Sequence, residues 1–564
     1  MQKKWSLKQT DAVIVGDLQQ ELKIHAVFCT LLEQRGIKTF DDAKNFFRTS
    51  DTHLHDPFLM KGMEKAVTRI YDAIANNERI LFYGDYDVDG TTAVAVAYSF
   101  FKAIHPAIEY YIPHRFTEGY GVSQKGIDYA VSNQFSLMIT LDCGIKSTVL
   151  IKQAKDQGID TIVCDHHMPD TILPEAFAIL NPKQADCTYP YKELCGCGVA
   201  YKLIAGYAAR YQVNVENVNM HLDLVATAIA ADIVPITGEN RTLCVLGLEK
   251  ANHNPSISLK ALRDINALVK EFTISDLVFI IAPRVNAAGR MDDARKAVDM
   301  FIAEDMEKAK ELAAILHEDN NDRRDVDRTT TAEALELLDN HQTDHSTKST
   351  VVYQPHWHKG VVGIVASRLI EHYYRPTVVL TMSEGKVTGS ARSIKGFNLF
   401  DGLNQCAEYL DNWGGHYFAA GLTMKEENLP HFISKFDEVV TKMVPEEMFQ
   451  PIIDIDAELN FQDINDSFLS ILKQFAPHGP ENMKPIFLSR GVKDFNNKSA
   501  IVKDKHLSLV VYQTPGIALK CIGFNMAEKF DVVRSKPAFD ILYHIEENEW
   551  NGKKSIQLKL IDVR

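Results

Sequence analysis

No apolar run in the chain approaches the roughly 18 residues of a membrane span, and the opening MQKKWSLKQTDAV lacks the apolar segment of a secretory leader. Both absences predict a cytoplasmic protein with no membrane attachment. Cysteine is sparse: nine are scattered over 564 residues, and the one close set, Cys195 and Cys197 with Cys187 upstream, lacks zinc-finger spacing. Free thiols in a reducing compartment follow. Positive charge is in deficit, with 61 Lys and Arg against 75 Asp and Glu. A net charge of −14 excludes a protein that coats nucleic acid nonspecifically, because that binding comes from neutralised phosphates. It leaves open a strand threaded through a local basic groove, and metal-binding carboxylates themselves inflate the negative count. There is no low-complexity tract, and 46% apolar with 24% charged residues is ordinary globular composition. The length calls for about three or four domains.

What is present is organised around RILFYGDYDVDGTTAVAVA, residues 79–97. Residues 80–83 read as a buried parallel strand and 91–101 as the helix that follows. Asp85, Asp87 and Asp89 are thereby expected on the turn at the strand's carboxyl end, where open α/β sheets place their ligands. Acids at i, i+2 and i+4 repel one another unless a cation lies between them, and hard divalent cations want such oxygen ligands. The alternative is an acidic turn capping the helix at Thr91. The same pattern recurs twice. Residues 136–141 end in Asp142, and 161–164 end in Asp165, His166 and His167. An adjacent pair of histidines after a strand has a structural role as its competing reading, but strands that deliver acids and histidines at the same end converge on one site. A further acid, Asp232, closes the apolar helix 222–231, where a cap or salt-bridge role is the competing reading.

The remainder is less specific. Residues 28–36, 40–47 and 63–74 have helical spacing. After a strand at 108–112, the loop 113–123 carries Gly119, Gly121 and Arg115, which is either a phosphate ligand or a surface residue. Residues 293–340 are charged and periodic in Leu and Ala, predicting long spacer helices that break at the polar stretch 341–349. A second α/β pattern follows: strand 350–353, a helix over 358–373 opening on Gly360 with His358 and Lys359 toward an anion, and strands 378–381 and 386–391. Ser390, Arg392 and Ser393 are expected on the next loop. Gly414-Gly415-His416 is a turn that admits close backbone approach, or a hairpin with a surface histidine. From about residue 451, short alternating segments at 452–459, 487–492, 506–512, 517–524, 539–545 and 555–561 predict an OB-type barrel. Residues 461–564 hold 15 Lys and Arg against 12 Asp and Glu, so they are at +3 while the rest is at −17. That reversal favours nucleic-acid contact, with Phe495, Tyr512 and Phe524 as stacking residues or as barrel core.

DYDVDG, LDCG, DHH and the Ala231-Asp232 element, in this order, resemble the four phosphoesterase motifs of the DHH superfamily. PRVNAAGR at 283–290, GSARS at 389–393 and GGHYFAAG at 414–421 resemble later motifs of its bacterial single-strand-specific exonucleases. The resemblance implies two α/β domains, DHH and DHH-associated, joined by a long helix and followed by an OB-type β-barrel. The expected division is 1–300 for the DHH domain with N-terminal helices, 301–344 for the connecting helix, 345–447 for the DHH-associated domain and 448–564 for the barrel. It implies two ions, Mn2+ or Mg2+, with Asp142 bridging them, Asp87 on the first, and Asp89, His166 and Asp232 on the second. Imidazole among carboxylates tilts the choice toward manganese. His167 would touch the scissile phosphate or assist the leaving oxygen, and Asp85 and Asp165 would orient ligands. Arg115, Ser390 and Arg392 would hold the terminal phosphate, with Arg284, Asn286, Arg290 and His416 along the strand path. One residue departs from the pattern: Tyr83 stands four before Asp87, where many relatives have histidine, which leaves the first metal one ligand short and weakly bound. The implied activity is 5′-to-3′ hydrolysis of single-stranded DNA in recombination and repair, by a monomer working with a single-strand-binding protein and a helicase. Two rivals share the motifs. A small-molecule or short-oligonucleotide phosphodiesterase would not need the barrel, and a silent replication scaffold would be expected to lose ligands.

Overall fold

The strand Ile80–Gly84, ILFYG, is buried at every residue, as a parallel strand covered on both faces must be. In a computed structural model, which describes residues 3–340 and 347–564, it lies second in a five-stranded sheet. The order is Ile108–Tyr111, Ile80–Gly84, Leu137–Leu141, Asp160–Cys164, Ala178–Leu180, and every neighbouring pair is parallel. The carboxyl ends of the predicted strands therefore share one edge. Helix Val88–Lys102 buries Ala93, Val94 and Ala97 in the core on one face, and Leu81, Tyr83, Met138 and Ile127 fill the other. The strand Ala178–Leu180 went unpredicted, because three residues carry no alternation to read.

The triple-acid turn differs from expectation. Asp87 accepts the Gly90 amide at 3.1 Å and caps the helix, which starts at Val88 rather than at Thr91. Asp89 thus sits in the helix's first turn, and only Asp85 remains on the turn proper.

The connecting helix, Met306–Asn340, runs 35 residues, roughly 52 Å at 1.5 Å per residue. Its first half buries Leu312 and Leu316 in the first unit's core; its second half buries Ala334 and Leu338 against Val362, Val365 and Leu369 of the second unit. One rod thus sets the spacing of both. The predicted break at 341–349 and the 344/345 boundary fall largely outside the described residues.

The second unit is a five-stranded sheet in the order Asn412–Gly415, Ala419–Met424, Lys386–Arg392, Thr377–Ser383, Thr350–Tyr353. Only its Thr350–Tyr353 pairing is parallel. Ser390 and Arg392, expected on a loop, lie on the strand itself, paired with Gly421 and Ala419 on one side and Val379 and Thr377 on the other. The helix expected from 358 begins at Val362. Gly414 and Gly415 end a strand, and the Gly415-to-Ala419 turn closes with His416 N–H donating to the Ala419 carbonyl at 2.8 Å.

In the C-terminal unit, strand Phe487–Asp494 pairs with Phe539–Trp550 and also, through Lys493 and Asp494, with His506–Tyr512. That second pairing closes the sheet into the expected barrel, completed by Ala518–Gly523 and Lys553–Val563. The N-terminal helices, grouped by sequence with the first unit, differ in part. Lys4–Leu7 is a strand that pairs in parallel with Ile452–Ile455, and Phe28, Leu31 and Leu32 share the barrel's core with Phe468, Phe475 and Phe487. Met63–Ala75 does pack on the first unit.

Candidate metal centre and substrate cleft

At the carboxyl edge of the parallel sheet the motif residues close on one another. His166 Nε2 lies 3.2 Å from Asp142 Oδ1, 3.6 Å from Asp232 Oδ2 and 3.8 Å from Asp89 Oδ2. Among the described residues the candidate ligands group as Asp85, Asp87 and Asp142, as Asp89, His166 and Asp232, and, sharing members with both, as Asp142, His166 and His167. The second is the set expected for the second ion. The first differs, since Asp85 stands as a potential ligand beside Asp87 and Asp142. Tyr83 is not a member: its hydroxyl donates to the Gly121 carbonyl at 3.1 Å and accepts the Ser123 amide at 3.0 Å, which holds the 121–123 loop instead.

Local backbone explains the convergence. Asp142 sits just past its strand at φ 62°, a left-handed conformation uncommon for residues other than Gly, Asn or Asp. Asp89 is aimed by the start of helix Gly196–Tyr211, whose Gly196 and Cys197 amides donate to its two oxygens at 2.6 and 2.8 Å. A Cβ at Gly196 would come within 2.5 Å of the Asp142 carboxylate, so only glycine lets that helix end approach so closely. Asp232 is the last residue of its helix, and Ile233 turns away at φ 62°.

The electrostatics call for a cation. Both oxygens of Asp85, Asp142 Oδ1, Asp232 Oδ2 and both ring nitrogens of His166 are buried without a hydrogen-bond partner, a costly state for polar atoms. Burial, then the neighbouring carboxylates, push Asp142, Asp85 and Asp232 well above the usual carboxylate range. Burial pushes His166 down to about 4. Divalent cations between these oxygens would reverse the carboxylate shifts, and the imidazole, already held neutral, is in the form that ligates a metal. Asp165 has a different role: burial opposes its ionisation, but His167 Nδ1 at 2.7 Å and the amides of His166, His167 and Ile145 hold it at about 2. In return Asp165 raises His167 despite that residue's burial. Manganese should therefore stabilise the native chain: at a hundred times its Kd the gain is about 2.7 kcal/mol. Thermal unfolding with saturating Mn2+ and with chelator measures it, and coincident curves would rule this centre out.

Beside the acids lies a cluster of arginines. Arg115 covers the Tyr86 ring at 4.8 Å, and its charge acts on Asp85. Arg290 donates to the Gly360 carbonyl at 3.2 Å, and Arg392 to Ser390 Oγ at 2.7 Å and the Ala391 carbonyl at 2.9 Å. Burial, then the charges of Arg115 and Arg392, bring Arg290 down to about 9; burial and Arg115 lower Arg392. Among the described residues none of the three has a carboxylate within ion-pair distance. Half-buried and without a carboxylate partner, they are placed to receive an anion.

The other predicted contacts divide. Arg284 stands apart from the clamp, donating to the Ile280 carbonyl and, at 3.2 Å, to His317 Nδ1. Six residues separate it from Arg290 on one helix, so the two face different ways. Asn286 is half-buried on that helix, and His416 is exposed on its hairpin, where partial desolvation of the ring and the nearby Lys146 and His167 lower its pKa. Sequence reasoning missed Tyr120, whose hydroxyl donates to the Asp142 carbonyl at 3.2 Å and lies 3.1 Å from His167 Nε2. Its flanking glycines were the available signal. Gly196 and Cys197 were also missed, since nothing local ties them to Asp89.

A parallel sheet gathering acids and a His-His pair at its carboxyl edge, opposite a second α/β unit, defines a DHH phosphoesterase. A model of the DHH family's N-terminal domain matches residues 79–229, one of the DHHA1 domain 346–442 and one of the RecJ OB domain 455–562. The chain belongs to the RecJ family. It is 36% identical over 563 residues to the single-stranded-DNA-specific exonuclease RecJ of Bacillus subtilis, covering 99% of this chain and 70% of that protein. To the Haemophilus influenzae enzyme of the same name it is 33% identical, covering 92% and 93% respectively. The fold matches the crystal structure of Thermus thermophilus RecJ in complex with Mn2+, at 24% identity with a TM-score of 0.85 over all of this chain and 79% of that one.

Proposed function

We propose that the chain is a metal-dependent exonuclease that removes nucleotides from the 5′ end of single-stranded DNA in recombination and repair. One observation carries the reading: partnerless buried carboxylates and imidazole adjoin half-buried arginines that no carboxylate pairs, and Arg115, which acts on both Asp85 and Arg392, links the two groups. A cation site and an anion site in contact fit a phosphodiester near its terminal phosphate.

Asp85, Asp87 and Asp142 would hold one Mn2+ or Mg2+, and Asp142, Asp89, His166 and Asp232 the other. When bound, such a pair supplies an activated hydroxide and neutralises the phosphoryl oxygens. Asp165 fixes the His167 ring through Nδ1 and supports its charge, leaving Nε2 to bind a phosphate oxygen or protonate the leaving oxygen. Arg115, Arg290, Arg392 and Ser390 would grip the terminal phosphate, which sets the cut one nucleotide from the end. His416 would meet the strand from the second unit, and Asn286 and Arg284 farther along. Domain limits of 1–300, 301–344, 345–447 and 448–564 serve as the working division, with residues 4–47 assigned to the barrel unit. We take the protein to be cytoplasmic and monomeric, working beside a single-strand-binding protein and a helicase; among the described residues no helix is long and apolar enough to cross a membrane.

Initial rates on end-labelled single strands and blunt duplex of one sequence, with and without Mn2+, test the reading. Equal rates on both, or release from the 3′ end, would sink it. The small-molecule alternative is disfavoured by the barrel surface, where Phe524, 55% exposed, has the His506 ring at 5.3 Å and Lys559 Nζ at 5.8 Å. A base stacked there is worth about 1–3 kcal/mol. Phe524→Ala should therefore weaken anisotropy-measured binding of long single strands by roughly five- to a hundredfold and leave cleavage of very short oligonucleotides near wild type. Equal losses on both would make the aromatic structural.

A further inference from the structure

Away from the cleft, a cavity of about 570 Å³ opens where the N-terminal helices, the start of helix Gly238–His253 and the residues before strand Phe487–Asp494 meet. That is the size of an ordinary small-molecule site. Arg35 and Arg241 line it. Arg241 is only 5% exposed; its terminal nitrogens donate to the carbonyls of Phe46 at 3.3 Å, Gln474 at 3.2 Å, Phe475 at 3.2 Å, Ala476 at 2.8 Å and Pro477 at 3.4 Å, while its Nε is buried with no partner. Arg35 donates to Asn482 Oδ1 at 2.6 Å and to the carbonyls of Leu31 and Met483.

Among the described residues neither arginine has a carboxylate within ion-pair distance, and the nearby acids are committed. Asp456 binds Lys8 at 2.7 Å, and Asp42 at the rim takes the Thr39 hydroxyl at 2.7 Å. Glu239 binds Lys202, the Tyr189 hydroxyl at 2.6 Å and the His55 amide at 2.9 Å. The helix at Gly238 is 16 residues long and has no side-chain cap from Thr237, so its positive end also borders the space. Burial, with repulsion from Arg35 adding to it, brings Arg241 down to about 10.

We propose that this cavity binds a phosphate-bearing small molecule, its dianion between Arg35, Arg241 and the helix start, and that binding there fastens the barrel unit to the catalytic unit. Free phosphate and a 5′-mononucleotide, the product of the reaction proposed above, share this chemistry. Equilibrium dialysis of the metal-free full chain against labelled inorganic phosphate, and separately against 5′-deoxyadenylate, separates the two sources without reading hydrolysis.

Arg392→Ala weakens the clamp of the cleft, so binding that persists at one ligand per chain and is then lost on changing the cavity wall belongs to the cavity. Thr49→Glu, at a half-buried position on the cavity wall, introduces a carboxylate toward the arginines. In the Arg392→Ala background it should weaken that binding at least about tenfold while its unfolding temperature in phosphate-free buffer stays near the parent's. Tighter adenylate than phosphate identifies the nucleotide as the ligand, and the reverse identifies free phosphate. The proposal is overturned if Arg392→Ala binds neither ligand, or if Thr49→Glu binds as its parent does. Should Thr49→Glu unfold, Asn45→Asp on the same wall is measured in its place against the same outcomes.

Discussion

Asp142→Asn should abolish hydrolysis and leave the fold intact. Asp142 belongs to the Asp85 and Asp87 set, and its Oδ1 lies 3.2 Å from the His166 ring of the other set. Removing its charge disarms both at once. Two-cation centres owe several kcal/mol of barrier to such a bridge, so a loss of at least about a thousandfold, near 4 kcal/mol, is expected. Asparagine is the better variant because it tolerates the left-handed backbone at φ 62°, where alanine adds strain. Without metal, Asn should unfold no earlier than wild type, since a repelling buried carboxylate is gone; with metal, the Mn2+-induced rise should shrink. Initial rates and paired melts check both. Activity within about tenfold of wild type would show that Asp142 bridges nothing.

The next largest effect is expected at Arg392. Its guanidinium spans Ser390 Oγ and the Ala391 carbonyl and stands in the field of Arg115. That geometry presents a planar fork to a phosphate, which lysine cannot reproduce. Wild type should prefer 5′-phosphorylated over 5′-hydroxyl strands, and Arg392→Ala should erase most of the preference, roughly ten- to a hundredfold for a charge-assisted pair. Arg392→Lys should fall between them although it keeps the charge. The comparison is one of initial rates on the two end chemistries. A preference that survives in Arg392→Ala would shift the clamp to Arg290 or Arg115.

Legibility followed locality. Asp142, His166 and Asp232 could be read because each ends an apolar segment, and segment ends in an α/β sheet share an edge. The role of Gly196 could not, because it depends on a helix start about a hundred residues from the carboxylate it orients. Ser390 and Arg392 are expected at or beyond the end of strand 386–391, and the strand instead runs through Arg392. Gly389 permits a close strand approach there: a Cβ would meet the Val379 carbonyl at 2.2 Å. Helix phase on PRVNAAGR already separates Arg284 from Arg290. The strand Lys4–Leu7 is invisible in the sequence, since none of its four residues is buried and no alternation marks it.

That short strand bears on how the protein is made. Lys4–Leu7 can pair only after Ile452–Ile455 has been synthesised, and at about 5–20 residues per second the ribosome takes roughly 20 to 90 seconds to get there. Every acid and histidine of the metal cluster precedes residue 233, so the hydrolytic centre can assemble early. The nascent chain therefore passes through an interval in which it can hold metal but has neither the Arg392 side of its cleft nor a partner for its first strand, and its unpaired edge is then open to other nascent chains.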